Sequence, residues 1–167
     1  PSSRADNVFA GFVQDEIELS PERAFLTVGL KLEHNDYTGF EFQPNVRGLW
    51  HVAERHTVWA SVARAIRRPS PVDRDIALDI AYIPDMGSGF NTTVQLQGSK
   101  DFRSETVNAY ELGYRVRPSD VVAIDLATFV NDYDHLSTLD DQPPVPTGPN
   151  DLLVASVLTN GARGVTY

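Results

Sequence analysis

The chain has 167 residues, a net charge of −9 and no cysteine, with 41% hydrophobic and 22% charged residues. The acidic balance lacks the basic footprint that nucleic-acid phosphates require, and without cysteine there is no disulfide framework and no thiolate metal site. No apolar run nears the roughly eighteen residues of a transmembrane helix. The mean hydropathy of −0.26 suits a soluble domain, but strands with one polar face dilute that average in a membrane barrel as well.

The opening Pro-Ser-Ser-Arg has neither Met nor the apolar stretch of a leader peptide, so a mature or excised segment is expected. In chain order, seven segments alternate apolar and polar residues and are predicted as strands: 7–19, 25–37, 42–53, 57–66, 105–117, 121–133 and 152–167. Soluble strands run about five or six residues, whereas a strand that crosses a membrane needs roughly nine to eleven.

The first segment places Phe9, Gly11, Val13, Ile17 and Leu19 on one face, interrupted by Asp15, and Gln14, Glu16 and Glu18 on the other. Ser20-Pro21-Glu22-Arg23 ends it, because proline donates nothing to a ladder. In the second, Leu26, Val28, Leu30 and Leu32 oppose Thr27, Lys31, Glu33 and Asn35. A one-residue slip would exchange these faces completely, so the register is well specified.

The third sets Phe42, Val46, Trp50 and Val52 against Gln43, Asn45, Arg47 and His51. In the fourth both faces are rather apolar, and the sequence does not assign them. The fifth alternates Tyr110, Leu112, Tyr114 and Val116 with Glu105, Glu111, Arg115 and Arg117. The sixth sets Val122, Ile124, Leu126 and Val130 against Asp125, Asn131 and Tyr133.

Connections near 20–24, 53–56 and 118–120 are tight and those at 67–104 and 134–151 are long, although the link at 38–41 is short and breaks the contrast. Outer-membrane barrels pair short periplasmic turns with long extracellular loops, which turns the ends near Tyr37, Ile66 and Tyr133 outward. The expected fold is all-β: about seven strands of an antiparallel, up-and-down transmembrane β-barrel, with residues 1–167 forming part of one barrel domain. The alternative is a soluble β-sandwich or a lipocalin-like ligand-binding domain, which would turn each apolar face inward.

Several stretches resemble TonB-dependent outer-membrane receptors. They are Phe12-Val-Gln-Asp-Glu16 with Leu26-Thr-Val-Gly-Leu-Lys-Leu-Glu33, then Ala60–Ser70, then Ser104-Glu-Thr-Val107 with Tyr110-Glu-Leu-Gly-Tyr-Arg115. Phe129–Asp134 and Thr159–Gly164 follow in the same order. No stretch resembles the plug domain, the TonB box or the closing C-terminal strand, so the resemblance implies an internal piece of the later half of the barrel. It further implies a bacterial outer-membrane location, contact with membrane lipid, and uptake of a small ligand such as a ferric siderophore. Energy would be coupled through TonB by the N-terminal part that this piece lacks.

No nucleophile elbow, P-loop or HExxH motif occurs, and the adjacent carboxylates Asp15 and Glu16 point to opposite faces of a strand. A non-enzymatic role without cofactor is expected. His34, His51, His56 and His135 lack metal-ligand spacing, and Asp140 with Asp141 falls short of a calcium site.

Candidate ligand residues lie in and beside the 67–104 loop. Arg64, Arg67, Arg68 and Arg74 offer forked donors for an anionic chelate, or pair with Asp73, Asp75 and Asp79 or with lipopolysaccharide phosphates. Tyr82, Phe90, Asn91, Gln95 and Gln97 suit a polar ligand, or serve loop packing.

Overall fold

The computed structural model describes residues 5–167; the opening segment read for a leader lies outside the described residues. Strands and one short helix follow in order: β1 (Val8–Ser20), β2 (Ala24–Asn35), β3 (Gly39–Ala53), β4 (His56–Arg67), α1 (Pro71–Asp75), β5 (Ala77–Ile83), β6 (Asn91–Gln97), β7 (Glu105–Ser119), β8 (Val122–Asp141), β9 (Val145–Gly148) and β10 (Asp151–Thr166). The chain divides into two compact units. One comprises residues 1–67, 106–134 and 163–167; the other comprises 68–105 and 135–162.

In the first unit the strands follow the order β1-β2-β3-β4-β7-β8. The pairs β1/β2, β2/β3, β3/β4 and β7/β8 are antiparallel. Val13↔Leu30, Leu30↔Pro44 and Val46↔Val62 put the odd residues of β1 and the even residues of β2, β3 and β4 on one face. Register thereby assigns the fourth strand, whose sequence left the matter open: Val58, Ala60 and Val62 join the apolar row. Tyr110↔Val130 and Tyr114↔Leu126 carry that row through the even residues of β7 and β8.

The apolar row is exposed. Phe9 is 72% accessible, Val13 66%, Trp50 57% and Leu126 64%. Among the described residues of this unit, the buried ones apart from Gly29 and Gly113 are polar: Glu33, which pairs with Lys31 at 3.1 Å, and Asn35. A soluble sandwich buries its apolar faces and keeps polar groups wet, so this inverted arrangement overturns the soluble alternative. A wall with an apolar outer face and a polar inner one is what a hydrocarbon solvent requires.

On the polar face, Arg115 pairs with Asp125 at 2.6 Å and Ser61 donates to Glu111 at 3.2 Å. Trp59 lies across Gly113, where an added Cβ would fall 2.1 Å from the indole, and the Arg47 guanidinium sits 5.2 Å from the Trp59 ring centre. Only glycine leaves room for that ring. The short turns are held by local chemistry. Asn35 Oδ1 accepts from the N–H groups of Tyr37 and Thr38 at 2.9 Å, and Gly39 closes that turn with φ of 74°. Arg55 donates to the Pro118 carbonyl and to Asp120, each at 3.1 Å, tying the β3–β4 turn to the β7–β8 turn.

Among the described residues ten strands form where seven long segments were expected. Residues 67–104 hold α1, β5 and β6, while β8 continues to Asp141 and is followed by β9. β5 and β6 have seven residues each and β9 has four, too short for alternation to separate them from loop. The second unit follows the order β8-β10-β6-β5, with β9 paired to β10. β6 and β10 run parallel, Val94 opposite Val154, a local departure from up-and-down pairing. The long strands match their predicted bounds within a few residues, β8 excepted, because period-two patterning over twelve or more residues is hard to mistake.

Candidate functional site

The second unit is assembled from polar turns around a small apolar centre. Phe102 is 2% exposed and Ala155 7%, with Pro69 fully buried and the polar Ser104 buried as well. Helix α1 starts from a capping box. Ser70 Oγ accepts from Asp73 N, and Asp73 in return accepts from Ser70 N at 2.8 Å. Ser99 N donates to the Asp73 carbonyl at 3.0 Å, Gly98 N donates to the Ile76 carbonyl at 2.8 Å, and Lys100 pairs with Asp75. These contacts fold residues 98–100 back along the helix. A Cβ on Gly98 would lie 2.6 Å from the Arg74 backbone.

The β5–β6 hairpin ends in a tip held by one carboxylate. Asp85 Oδ1 accepts from Gly87 N and Gly89 N at 2.9 Å and from Ser88 Oγ at 3.2 Å. Gly87 and Gly89 have φ of 108° and 83°, conformations that suit glycine. The Gly87 and Gly89 N–H groups, helped by Ser88, hold the Asp85 carboxyl below its ordinary range against a smaller opposing effect of desolvation.

A cleft of about 450 Å³ opens in this unit, lined in part by Ser99, Asp101, Arg103, His135, Asp140 and Asn160. Asn160 builds it. Its Oδ1 accepts from Arg103 N at 2.6 Å, and its Nδ2 donates to the carbonyls of Arg103 and His135 at 3.2 and 2.7 Å. His135 has φ of 58°, a left-handed conformation in mid-strand that costs a non-glycine residue energy. Thr138 Oγ1, which accepts from Gly161 N at 2.9 Å, holds the same stretch of β8 against β10.

None of the candidate ligand residues lines this cleft. Arg64 and Arg67 belong to the first unit, and Arg68, Arg74, Tyr82, Phe90, Asn91, Gln95 and Gln97 to the second. Arg64 donates to the Phe42 carbonyl. The β3–β4 register ends at Asn45↔Ala63, because Pro44 has no N–H with which to extend it, and the guanidinium takes up a carbonyl beyond that end. Arg67, Arg68 and Arg74 are each engaged in interactions of their own.

The amides also have work within the chain. Asn91 Oδ1 accepts from Asp85 N and its Nδ2 donates to Asp151, both at 3.0 Å. Gln95 donates to Asp79 and Gln97 to Gln95, both at 2.6 Å. Tyr82 and Phe90 remain 64% and 40% exposed. Sequence reasoning missed Arg103, His135 and Asn160. Asn160 stood inside the Thr159–Gly164 stretch that carried the resemblance, whereas Arg103 and His135 lie one residue outside the Ser104–Val107 and Phe129–Asp134 stretches.

The family model "TonB dependent receptor-like, beta-barrel" matches residues 1–167. The chain is 33% identical over 135 residues to the ferric enterobactin receptor of Pseudomonas aeruginosa, covering 79% of this chain and 17% of that protein. It is 30% identical over 125 residues to an iron-regulated outer membrane virulence protein of Vibrio cholerae, covering 75% of this chain and 18% of that protein. Among solved structures, the Pseudomonas aeruginosa ferric enterobactin receptor superposes with a TM-score of 0.76 at 27% identity, over 96% of this chain and 23% of that one. The siderophore receptor PirA of the same organism gives 0.72 at 26% identity, over 96% and 29%. The chain thus spans about a fifth of the length of the curated relatives. The apolar wall, the strand order and the family match agree: this chain belongs to the TonB-dependent receptors of the bacterial outer membrane, as part of their β-barrel domain.

Proposed function

We propose that the protein imports a small ligand, a ferric siderophore, across the outer membrane with energy coupled through TonB, and performs no chemical step on it. The family match along the whole chain carries this reading, and the names of the relatives, which include two ferric enterobactin receptors, support the choice of cargo. The first unit supplies barrel wall. The second supplies outward loops, and its exposed Tyr82 and Phe90 offer rings to the ligand while Arg68 and Arg74 add positive charge. Arg103, in the Asn160-built cleft, is a further contact for an anionic chelate. In this reading Arg64, Asn91, Gln95 and Gln97 keep the loops in shape, because their polar groups already bond within the chain.

The test is radioactive-iron uptake from ferric enterobactin by cells that lack their own siderophore receptors and express the full-length protein. Uptake that disappears when TonB is removed is expected, with Tyr82→Ala and Phe90→Ala raising the half-saturating concentration. A correctly inserted barrel that takes up no ferric chelate would refute the reading.

A further inference from the structure

On the membrane-facing side of the first unit, Val58, Leu112, Tyr114, Leu126 and Thr128 line an apolar groove of about 370 Å³. Its floor is the backbone of Gly113 and Ala127, which face each other across β7 and β8. Thr128, opposite Leu112, is a short side chain in an even row otherwise filled by Val122, Ile124, Leu126 and Val130. A shallow channel is left between larger neighbours.

The position of the groove limits what can occupy it. Val58 is two residues beyond His56 and Thr128 six beyond Val122, so the groove runs roughly 7 to 20 Å along the strands from the short-turn end. Strand tilt keeps it within the periplasmic half of a hydrocarbon layer roughly 30 Å thick. At the turn end it meets polar groups. His56 Nδ1 and the Tyr114 hydroxyl are 2.6 Å apart with their rings stacked at 5.9 Å, an arrangement suited to the membrane–water interface. At the adjoining rim Arg55 and Asp120 carry opposite charges. Arg55 spends two of its five N–H donors on Pro118 and Asp120, and the Asp120 side chain is 93% exposed.

We propose that this groove is a binding site for one phospholipid with a zwitterionic, ammonium-bearing headgroup. The acyl chain lies over Gly113 and Ala127 between Leu112 and Leu126. The Tyr114 hydroxyl and His56 meet the ester level, the remaining Arg55 donors take the phosphate, and Asp120 takes the ammonium group. The groove is continuous with the lipid-facing wall, which selects a lipid over a peptide, and the paired charges select a zwitterion over an anionic lipid.

The experiment is native mass spectrometry of the full-length protein, purified from membranes and stripped with rising detergent, then re-supplied with phosphatidylethanolamine or phosphatidylglycerol. One phosphatidylethanolamine should stay bound longest, ahead of phosphatidylglycerol. Thr128→Trp, which fills the groove with an apolar ring that the membrane tolerates, should lower retention by about tenfold. Val62→Trp, on the same wall but outside the groove, should leave it unchanged, and so should keep the result interpretable if Thr128→Trp inserts poorly. Leu126→Phe, a smaller change, provides a second groove variant. Asp120→Asn should remove the headgroup preference while leaving a bound lipid. Lipid that washes away completely, equal retention in Thr128→Trp, no headgroup preference in the wild type, or a second protein chain in place of lipid would each overturn the assignment.

Discussion

The two units of this chain solve opposite problems. The wall formed by β1–β4, β7 and the first part of β8 buries the polar Glu33 and Asn35 and displays Phe9, Val13, Trp50 and Leu126. The loop unit hides Phe102, Pro69 and Ala155 and displays its turns. In the wall, residue choice answers to the solvent on each face and to cross-strand register, so every second position is constrained and no large core is needed. In the loop unit, ordinary aqueous rules return, and a few polar side chains that each hold several groups supplement its shorter ladders. Asn160 and Asp85 are the clearest cases, each meeting three donor or acceptor groups in its neighbourhood. One chain thus carries a membrane grammar and a water grammar, and β8 and β10 contribute residues to both units.

The sharpest way to break this comparison is to charge the wall. Val46→Arg, in mid-strand on the apolar face, should cost about 2–4 kcal/mol, measured by urea unfolding of the full-length barrel in lipid vesicles. Gln14→Arg, on the opposite face of β1, should stay within about 0.5 kcal/mol of wild type. Equal costs would show that the faces are not assigned as the register requires.

A smaller effect is expected from the loop unit. Asn160→Ala leaves Arg103 N and two carbonyls without their side-chain partner and should cost about 1–3 kcal/mol locally. Faster hydrogen exchange in residues 99–106 and 135–138, with unchanged protection in β1–β4, is the outcome that keeps the two units energetically separate. Loss of protection in both would merge them.

The smallest effect is acid sensitivity at the hairpin tip. Asp85 titrates below its ordinary value when folded, because Gly87 and Gly89 donate to its charged form. The order it gives the tip is therefore complete above the unfolded carboxyl value and lost as pH falls through the lower folded one. Hydrogen exchange of residues 85–90, taken relative to the intrinsic rate at each pH, should be flat through neutral pH and rise only in strong acid, and Asp85→Asn should remove that dependence. A rise already at pH 6 would contradict the geometry.

Much of the wall was legible because its signals are local and repeated. A period of two over twelve to twenty residues, with proline and acidic turns between, specifies strands, register and an apolar face without reference to anything distant. The fourth strand shows the limit: Thr57–Ile66 is apolar on both faces, and only pairing of Val46 with Val62 and the seat of Trp59 on Gly113 decided which side meets lipid.

The loop unit was scarcely legible, because its determinants lie far apart in sequence. Arg103, His135 and Asn160 are brought together by the Asn160 side chain bonding backbone groups over separations of 57 and 25 residues, and the parallel pairing of β6 with β10 has no signature in either segment. The arginines and amides chosen as ligand groups have the right chemistry, yet chemistry does not reveal whether a donor is already spent. Arg64 on Phe42, Asn91 on Asp151 and Gln95 on Asp79 are spent. The sequence by itself determined the long strands, the alternation and the family; tertiary structure alone decided which face is outside and which polar groups are left for a ligand, because both depend on partners that the chain meets only when folded.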